Sequence, residues 1–204
     1  MGLPNQLTVL RMILTPLLVY LLSREGVSFR YYALVVFLLA SLTDWYDGYV
    51  ARKWGIVTQW GKFLDPLADK ILVITLFCVF VWLGLVKAWM VVVIAARDVV
   101  MTLLRLYGDW KRQPVVTSMS AKWKTGGQMA AIYIILLYLV VKAHGFNFEW
   151  LIWLQETEAL DKMMLVVTGI TLATGVQYLF ENWRLLRHLL LACFRVFDPG
   201  NLAK

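Results

Sequence analysis

Six long runs of apolar residues, separated by short polar segments, dominate this chain. Each run has about 17 to 25 residues, the length that an α-helix needs to cross the hydrocarbon core of a bilayer. The runs lie near residues 7–23, 31–51, 66–84, 88–107, 125–142 and 160–180. The pattern therefore predicts an all-α integral membrane protein, a bundle of six transmembrane helices that forms a single membrane domain over residues 1–204.

Composition supports a membrane protein and argues against an ordinary soluble domain. Hydrophobic residues make up 61% of the 204 residues, whereas soluble domains usually contain about 45–50%. The first apolar run has no basic leader and no small-residue cleavage site, so we expect it to be retained as a helix.

Basic residues are concentrated after the second, fourth and sixth runs, and the opposite loops are poorer in them and partly acidic. Because basic loops stay on the cytoplasmic side, this asymmetry predicts that both termini face the cytoplasm. The net charge is +7. The basic residues lie next to the apolar runs rather than along a soluble face, which favours binding of anionic lipid and phosphate over binding of nucleic acid. The basic tail, residues 182–204, is predicted to be an interfacial helix or a prolongation of the sixth span.

Four carboxylates interrupt this apolar sequence, at Asp44, Asp47, Asp65 and Asp69. An unpaired charge at membrane depth is costly, so acidic residues there usually line a functional site. Asp44 and Asp47 are spaced i, i+3 and are predicted to share one helix face. Asp65 and Asp69 are spaced i, i+4, and Pro66 suits the first position of a helix, which predicts that the third helix starts near it.

The four carboxylates predict a binding site for divalent cations. Like charges this close raise one another's pKa, and a bound dication reverses that preference. Ligation by oxygen alone favours Mg²⁺, Mn²⁺ or Ca²⁺, with Mg²⁺ the default when the substrate carries phosphate. Gly48 and Ala51 lie on the same face as Asp44, which would let a ligand approach the backbone or would let helices pack closely. Arg52 could bind phosphate, pair with an acid or act as a cytoplasmic anchor.

The spacing of this cluster, D-x2-D-G-x2-A-R-x8-G-x3-D-x3-D from Asp44 to Asp69, resembles the signature of the CDP-alcohol phosphatidyltransferases without a gap or substitution. Two further segments, residues 5–11 and 121–128, resemble the branch of that family that uses glycerol 3-phosphate as acceptor. The chain departs from that branch at Asp98, where glutamate is often found after arginine, and at Ala121, where glycine is usual.

The resemblance implies a membrane-embedded transferase, usually a homodimer, with a site open to the cytoplasm. It further implies that two Mg²⁺ or Mn²⁺ ions are held by Asp44, Asp47 and Asp65 with help from Asp69, which would also accept the proton of the attacking hydroxyl. The positions that would contact the CDP moiety are Asp47, Gly48, Ala51, Arg52 and Gly61.

A pocket for the acceptor's phosphate is predicted from basic residues within or beside the later runs: Arg97, Arg105, Lys122 and Lys124. Arginine suits bidentate contact with phosphate. Lys122 and Lys124 could instead be cytoplasmic anchors, and Asp98 could neutralise either arginine. Arg11, with Thr8, could serve phosphate binding or anchor its helix at the interface.

The expected reaction is transfer of the phosphatidyl group from CDP-diacylglycerol to glycerol 3-phosphate, giving phosphatidylglycerol phosphate and CMP at the inner (cytoplasmic) membrane. Alternatives with the same chemistry use inositol phosphate, serine or phosphatidylglycerol as acceptor; the basic residues favour a phosphorylated one. A divalent-cation transporter is the alternative of another class, but it predicts acids spread through the membrane or repeated in both halves of the chain. A purely structural role would leave four costly carboxylates unexplained.

Overall fold

The computed structural model describes residues 3–54, 59–111, 120–145, 158–183 and 185–187, and within them every regular element is an α-helix. The helices are α1 (Leu3–Ser23), α2 (Val27–Trp54), α3 (Gln59–Trp82), α4 (Ala88–Trp110), α5 (Ser120–Ala143) and α6 (Ala159–Glu181). The prediction of an all-α protein is confirmed for this part of the chain.

Each helix coincides with one of the six predicted apolar runs. Two segments in the described part, Gly126–Ala143 in α5 and the whole of α6, are long and apolar enough to cross a membrane by length and composition. The other apolar helical stretches found are shorter: Val9–Ser23, Val27–Thr43 and Lys70–Trp82. These features are consistent with a membrane protein, while the crossing of all six helices stays a prediction.

The predicted start of the third helix is wrong. α3 begins at Gln59, so Pro66 lies inside the helix rather than in its first turn. Proline inside a helix leaves one carbonyl without its usual amide partner, a defect that helices of membrane proteins tolerate when neighbouring groups satisfy that carbonyl. Asp65 and Asp69 are both helical, so their i, i+4 spacing still places them on one face of α3.

A turn at Gly84 follows the end of α3 and leads into α4. Gly84 has a φ of 70°, a left-handed conformation that residues with a side chain rarely adopt. The amide of Leu85 donates to the carbonyl of Phe80 at 2.9 Å, which closes the six-residue loop of a Schellman motif. The turn lets α4 run back along α3.

The bundle is held together by an apolar core in which α3 packs against α1, α4 and α5. α1 also packs on α2, and α6 packs on α4 and α5. Fully buried core side chains come from most of these helices: Leu18, Phe37, Leu76, Phe77, Phe80, Ile94 and Ile132. Burying a side chain of this size contributes about 1.5–3 kcal/mol. The core therefore sets how α3 and α4 lie against each other.

Polar contacts join the connections at the end of the bundle predicted to face away from the cytoplasm. Lys87, between α3 and α4, lies 3.1 Å from a carboxylate oxygen of Asp161 and 3.7 Å from Glu158. Hydrogen bonding to Asp161 and attraction to both acids raise the pKa of Lys87. At the same end, Tyr31 and His144 meet edge to face, with ring centroids 5.2 Å apart.

The start of the C-terminal tail packs on the bundle. α6 ends at Glu181, and the Asn182 side chain donates to the carbonyl of Tyr178 at 3.0 Å. Leu185 is buried in a small cluster with Leu104 and Met101 of α4. Residues 184 and 188–204 of the predicted interfacial segment lie outside the described residues.

Candidate active site

The backbone places the acidic motif on two helices that are joined by a short connection. Asp44 and Asp47 lie in the last three turns of α2, together with Gly48, Ala51 and Arg52. Because α2 continues to Trp54, the condition that these positions share one helix face is met. The side chains of the four aspartates, Ala51 and Arg52 lie outside the described part of the structure.

One residue after Asp69, an ion pair connects α3 to α4. The ammonium of Lys70 lies 2.8 Å from Oδ2 of Asp98, and the Asp98 side chain is completely buried. A buried carboxylate keeps its charge only when it is paired and hydrogen-bonded. Asp98 therefore holds the segment that follows Asp69 against α4.

Arg97 is the second cation on the same carboxylate. Its Nη1 donates to Oδ1 of Asp98 at 3.2 Å, and Nη2 donates to the hydroxyl of Thr174 in α6 at a long 3.4 Å. Only 11% of the Arg97 side chain is exposed. Its Nε has no hydrogen-bond partner in the part of the chain that the structure describes. The suggestion that Asp98 neutralises an arginine is confirmed for Arg97, but Asp98 is shared with Lys70.

The other predicted phosphate-binding residues occupy different settings. Arg105 lies two turns after Arg97 in α4, and its side chain is exposed. Lys122 and Lys124 lie in the first two turns of α5, with side chains outside the described residues. α4 and α5 are thus fixed as the elements that carry these residues, and the pocket itself stays a prediction.

Arg11 of α1 is buried, with 1% of the residue exposed. This burial contradicts the alternative that Arg11 anchors α1 at the interface, because an anchoring arginine keeps its charged end in the aqueous layer. Thr15, one turn later, donates to the Arg11 carbonyl at 2.9 Å. The side chain of Thr8 lies outside the described part.

Sequence reasoning gave no chemical role to several polar residues of the interior. Gln128 of α5 has 1% of its surface exposed, and its side-chain NH₂ has no hydrogen-bond partner among the described residues. Lys70 contacts Asp98, and Thr174 contacts Arg97. Lys70 could have been noticed as a cation directly after an acidic motif, whereas nothing in its local sequence distinguishes Thr174 from other helical threonines.

No group of three or more His, Cys, Asp or Glu side chains suited to a metal occurs among the residues whose side chains are described. The four motif carboxylates are outside that set. Their backbone lies in the last turns of α2 and in α3, and the oxygen-only ligand set stays a prediction.

Comparison with known proteins places most of the chain in one family. The model of the family described as CDP-alcohol phosphatidyltransferase matches residues 1–157. The match therefore includes α1 to α5 and ends before α6.

Three relatives that align over most of their length share one name, CDP-diacylglycerol–glycerol-3-phosphate 3-phosphatidyltransferase. The protein of that name from Bacillus subtilis is 35% identical over 198 residues, which cover 91% of this chain and 97% of the relative. The one from Rickettsia bellii is 33% identical over 177 residues, covering 87% and 93%. The one from Escherichia coli is 31% identical over 192 residues, also covering 87% and 93%.

Proposed function

Because the chain belongs to the CDP-alcohol phosphatidyltransferase family, we propose that it is a phosphatidylglycerophosphate synthase, which transfers the phosphatidyl group of CDP-diacylglycerol to glycerol 3-phosphate. The products are phosphatidylglycerol phosphate and CMP. The observation that carries the proposal is the alignment, over nearly the whole chain, with relatives named for this reaction. The uninterrupted acidic motif within the aligned region supports the chemistry.

The motif carboxylates are the proposed ligands of two divalent cations, Mg²⁺ or Mn²⁺. Asp44 and Asp47 come from α2, and Asp65 and Asp69 come from α3. Four carboxylates on successive helices fit hard cations, and no softer ligand occurs in the motif. These carboxylates would hold the cations, and bound cations would supply charge neutralisation at the phosphates of the donor and at the attacking and leaving oxygens.

The remaining motif positions are the proposed contacts of the donor. Gly48, Ala51 and Gly61 leave room beside the acids for the CDP moiety, which Asp47 and Arg52 also contact. Arginine at the end of α2 suits the pyrophosphate, because its planar guanidinium binds phosphate oxygens in pairs.

Asp69 is the proposed acceptor of the proton from the glycerol 3-phosphate hydroxyl. The hydroxyl oxygen forms a bond to the phosphorus that carries diacylglycerol, and the bond from that phosphorus to the CMP oxygen breaks, so CMP leaves with the electron pair. A carboxylate is a weak base for an alcohol, so the placement of Asp69 beside the hydroxyl matters more than its pKa. Lys70, held by Asp98, fixes the α3 backbone next to Asp69.

Arg97, Arg105, Lys122 and Lys124 are the proposed pocket for the acceptor phosphate. Arg97 is the best supported of them, because its guanidinium is held in the bundle interior by Asp98 and Thr174. Each Nη atom carries a second hydrogen that a phosphate oxygen can accept.

The proposed setting is the inner membrane. The bundle crosses it six times as one domain, both termini and the site face the cytoplasm, and the chain pairs as a homodimer. The lipid donor reaches the site from the bilayer, and glycerol 3-phosphate reaches it from the cytoplasm. The basic tail, residues 182–204, lies along the same surface and contacts anionic headgroups.

CMP release by the purified protein in detergent tests the proposal. CDP-diacylglycerol is supplied with glycerol 3-phosphate, inositol phosphate, serine or phosphatidylglycerol, each with Mg²⁺ or a chelator. We expect release with glycerol 3-phosphate in Mg²⁺, its loss in chelator and in Asp69→Asn, and its retention in Asp161→Asn. CMP release with another acceptor alone would show that the proposed acceptor is wrong. No CMP release with any acceptor would show that the proposed reaction is wrong.

A further inference from the structure

α6 approaches Arg97 so closely that one of its residues must lack a side chain. A Cβ atom built on Gly175 would lie 2.9 Å from Cγ of Arg97, 3.2 Å from Nε and 3.7 Å from Cδ. The first distance is shorter than non-bonded carbon atoms accept, since their optimal separation is about 3.5–4.0 Å. The arginine stem therefore occupies the space that a side chain at Gly175 would fill.

The contact falls on the stem of Arg97, and its far end is fixed as well. Nη1 is held by Asp98 and Nη2 reaches Thr174, the neighbour of Gly175. A new methyl group at Gly175 could not be accommodated by bending the tip of a flexible side chain. It would shift Cγ and Nε together and weaken at least one of the two contacts of the guanidinium.

From this packing we propose that Gly175 is a positioning residue for Arg97, and that α6 thereby sets the affinity for the phosphorylated acceptor. The inference rests on the proposed function, in which Arg97 binds the acceptor phosphate. It extends that function to a helix outside the family match. Gly175 itself touches no substrate in this proposal and acts only through the place it leaves for the arginine.

The expected consequence is specific to one substrate. A bidentate contact between guanidinium and phosphate depends on both direction and distance, and a misplacement of about 1 Å in an active site can cost up to about 100-fold in rate. Displacing Arg97 should weaken the hold on glycerol 3-phosphate. Binding of CDP-diacylglycerol at the motif of α2 and α3 should change little.

Alanine at Gly175 tests the proposal, with alanine at Gly169 as the matched control. Both glycines lie in α6, but a Cβ at Gly169 would meet nothing within 4 Å. For Gly175→Ala we expect the KM for glycerol 3-phosphate to rise about tenfold, with the KM for CDP-diacylglycerol unchanged. Gly169→Ala should leave both unchanged. Equal behaviour of the two variants, or a rise in the KM for both substrates with Gly175→Ala, would overturn the proposal.

Arg97→Ala separates this inference from the proposed function. If Arg97→Ala leaves the KM for glycerol 3-phosphate unchanged, the phosphate role of Arg97 is wrong, whatever Gly175→Ala does. If it raises that KM, the double variant decides the role of Gly175. Because Arg97→Ala removes Cγ and Nε, adding Gly175→Ala should then raise the KM no further.

The double variant also covers a failure of Gly175→Ala to fold. Without the arginine stem the new methyl group has space, so we expect the double variant to fold and to match Arg97→Ala in the KM for glycerol 3-phosphate. If Arg97→Ala folds, a double variant that does not fold, or whose acceptor KM exceeds that of Arg97→Ala, would show that Gly175 acts through something other than Arg97 and would overturn the proposal.

Discussion

Lys70 of α3 and Asp98 of α4 form an ion pair with an N–O distance of 2.8 Å. Lys70 directly follows Asp69, the last carboxylate of the acidic motif. Asp98 also accepts a hydrogen bond from Arg97, so one buried carboxylate serves two cations on two helices. This arrangement couples the α3 segment of the proposed metal site to the arginine proposed to bind the acceptor.

Asp98→Asn should strongly destabilise the protein. The amide would leave Lys70 and Arg97 facing a neutral group in the interior, and breaking a buried ion pair from one side typically costs about 3–5 kcal/mol. Lys70 keeps 23% of its side chain exposed, so we expect the loss in the free energy of unfolding to lie near the lower end of that range. Denaturant unfolding in detergent measures it. A loss no greater than that of Asp161→Asn, whose partner Lys87 is half exposed, would contradict the prediction.

Asp98→Glu distinguishes charge from shape at the same position. Glutamate often follows arginine in the synthases that the sequence resembles, and it keeps the counterion for Lys70 and Arg97. The additional methylene must fit a site with no exposure, and overpacking typically costs about 1–3 kcal/mol. We therefore expect stability and CMP release between those of the unchanged protein and Asp98→Asn. Glutamate as damaging as asparagine would show that shape outweighs charge here.

The helices could be predicted from the sequence because each apolar run has the length of one helix, and the described structure has a helix at each. Helix boundaries were harder. Pro66 is a good first residue of a helix, and local sequence does not reveal that α3 continues seven residues before it, to Gln59. The spacing of the acids on α2 and α3 could be predicted because it depends only on helical periodicity.

The contacts between helices could not be predicted in the same way. Lys70 and Asp98 are 28 residues apart, and whether they meet depends on how α3 and α4 rotate about their axes when the core packs. The same applies to Gly175, one of 13 glycines, whose importance follows from its proximity to Arg97. Arg105 and Arg97 share a helix and a two-turn spacing, yet of the two only Arg97 is enclosed, with Thr174 and Gly175 of α6 against its side chain.

Gln128→Leu should not reduce the stability of the protein without substrate. The side-chain NH₂ of Gln128 is buried without a described partner, and a buried unsatisfied donor costs about 1–3 kcal/mol. Replacing it with an apolar group of similar size should leave the free energy of unfolding unchanged or raise it. Asn182→Leu is the contrast, because it removes a hydrogen bond to the Tyr178 carbonyl and should cost about 1 kcal/mol. A larger loss for Gln128→Leu than for Asn182→Leu would contradict this prediction.

The effect of Asp65→Asn on stability should change sign when metal is added. In chelator, the motif carboxylates repel one another, so removing one charge should raise the unfolding midpoint above that of the unchanged protein. In saturating Mg²⁺ or Mn²⁺ the order should invert, because a ligand at 100 times its Kd stabilises the folded protein by about 2.7 kcal/mol and the variant has lost a ligating group. Thermal unfolding without substrate, in chelator and across a metal titration, measures both midpoints. Asp161→Asn should respond to metal as the unchanged protein does, and an equal metal-induced shift in Asp65→Asn would remove Asp65 from the proposed site.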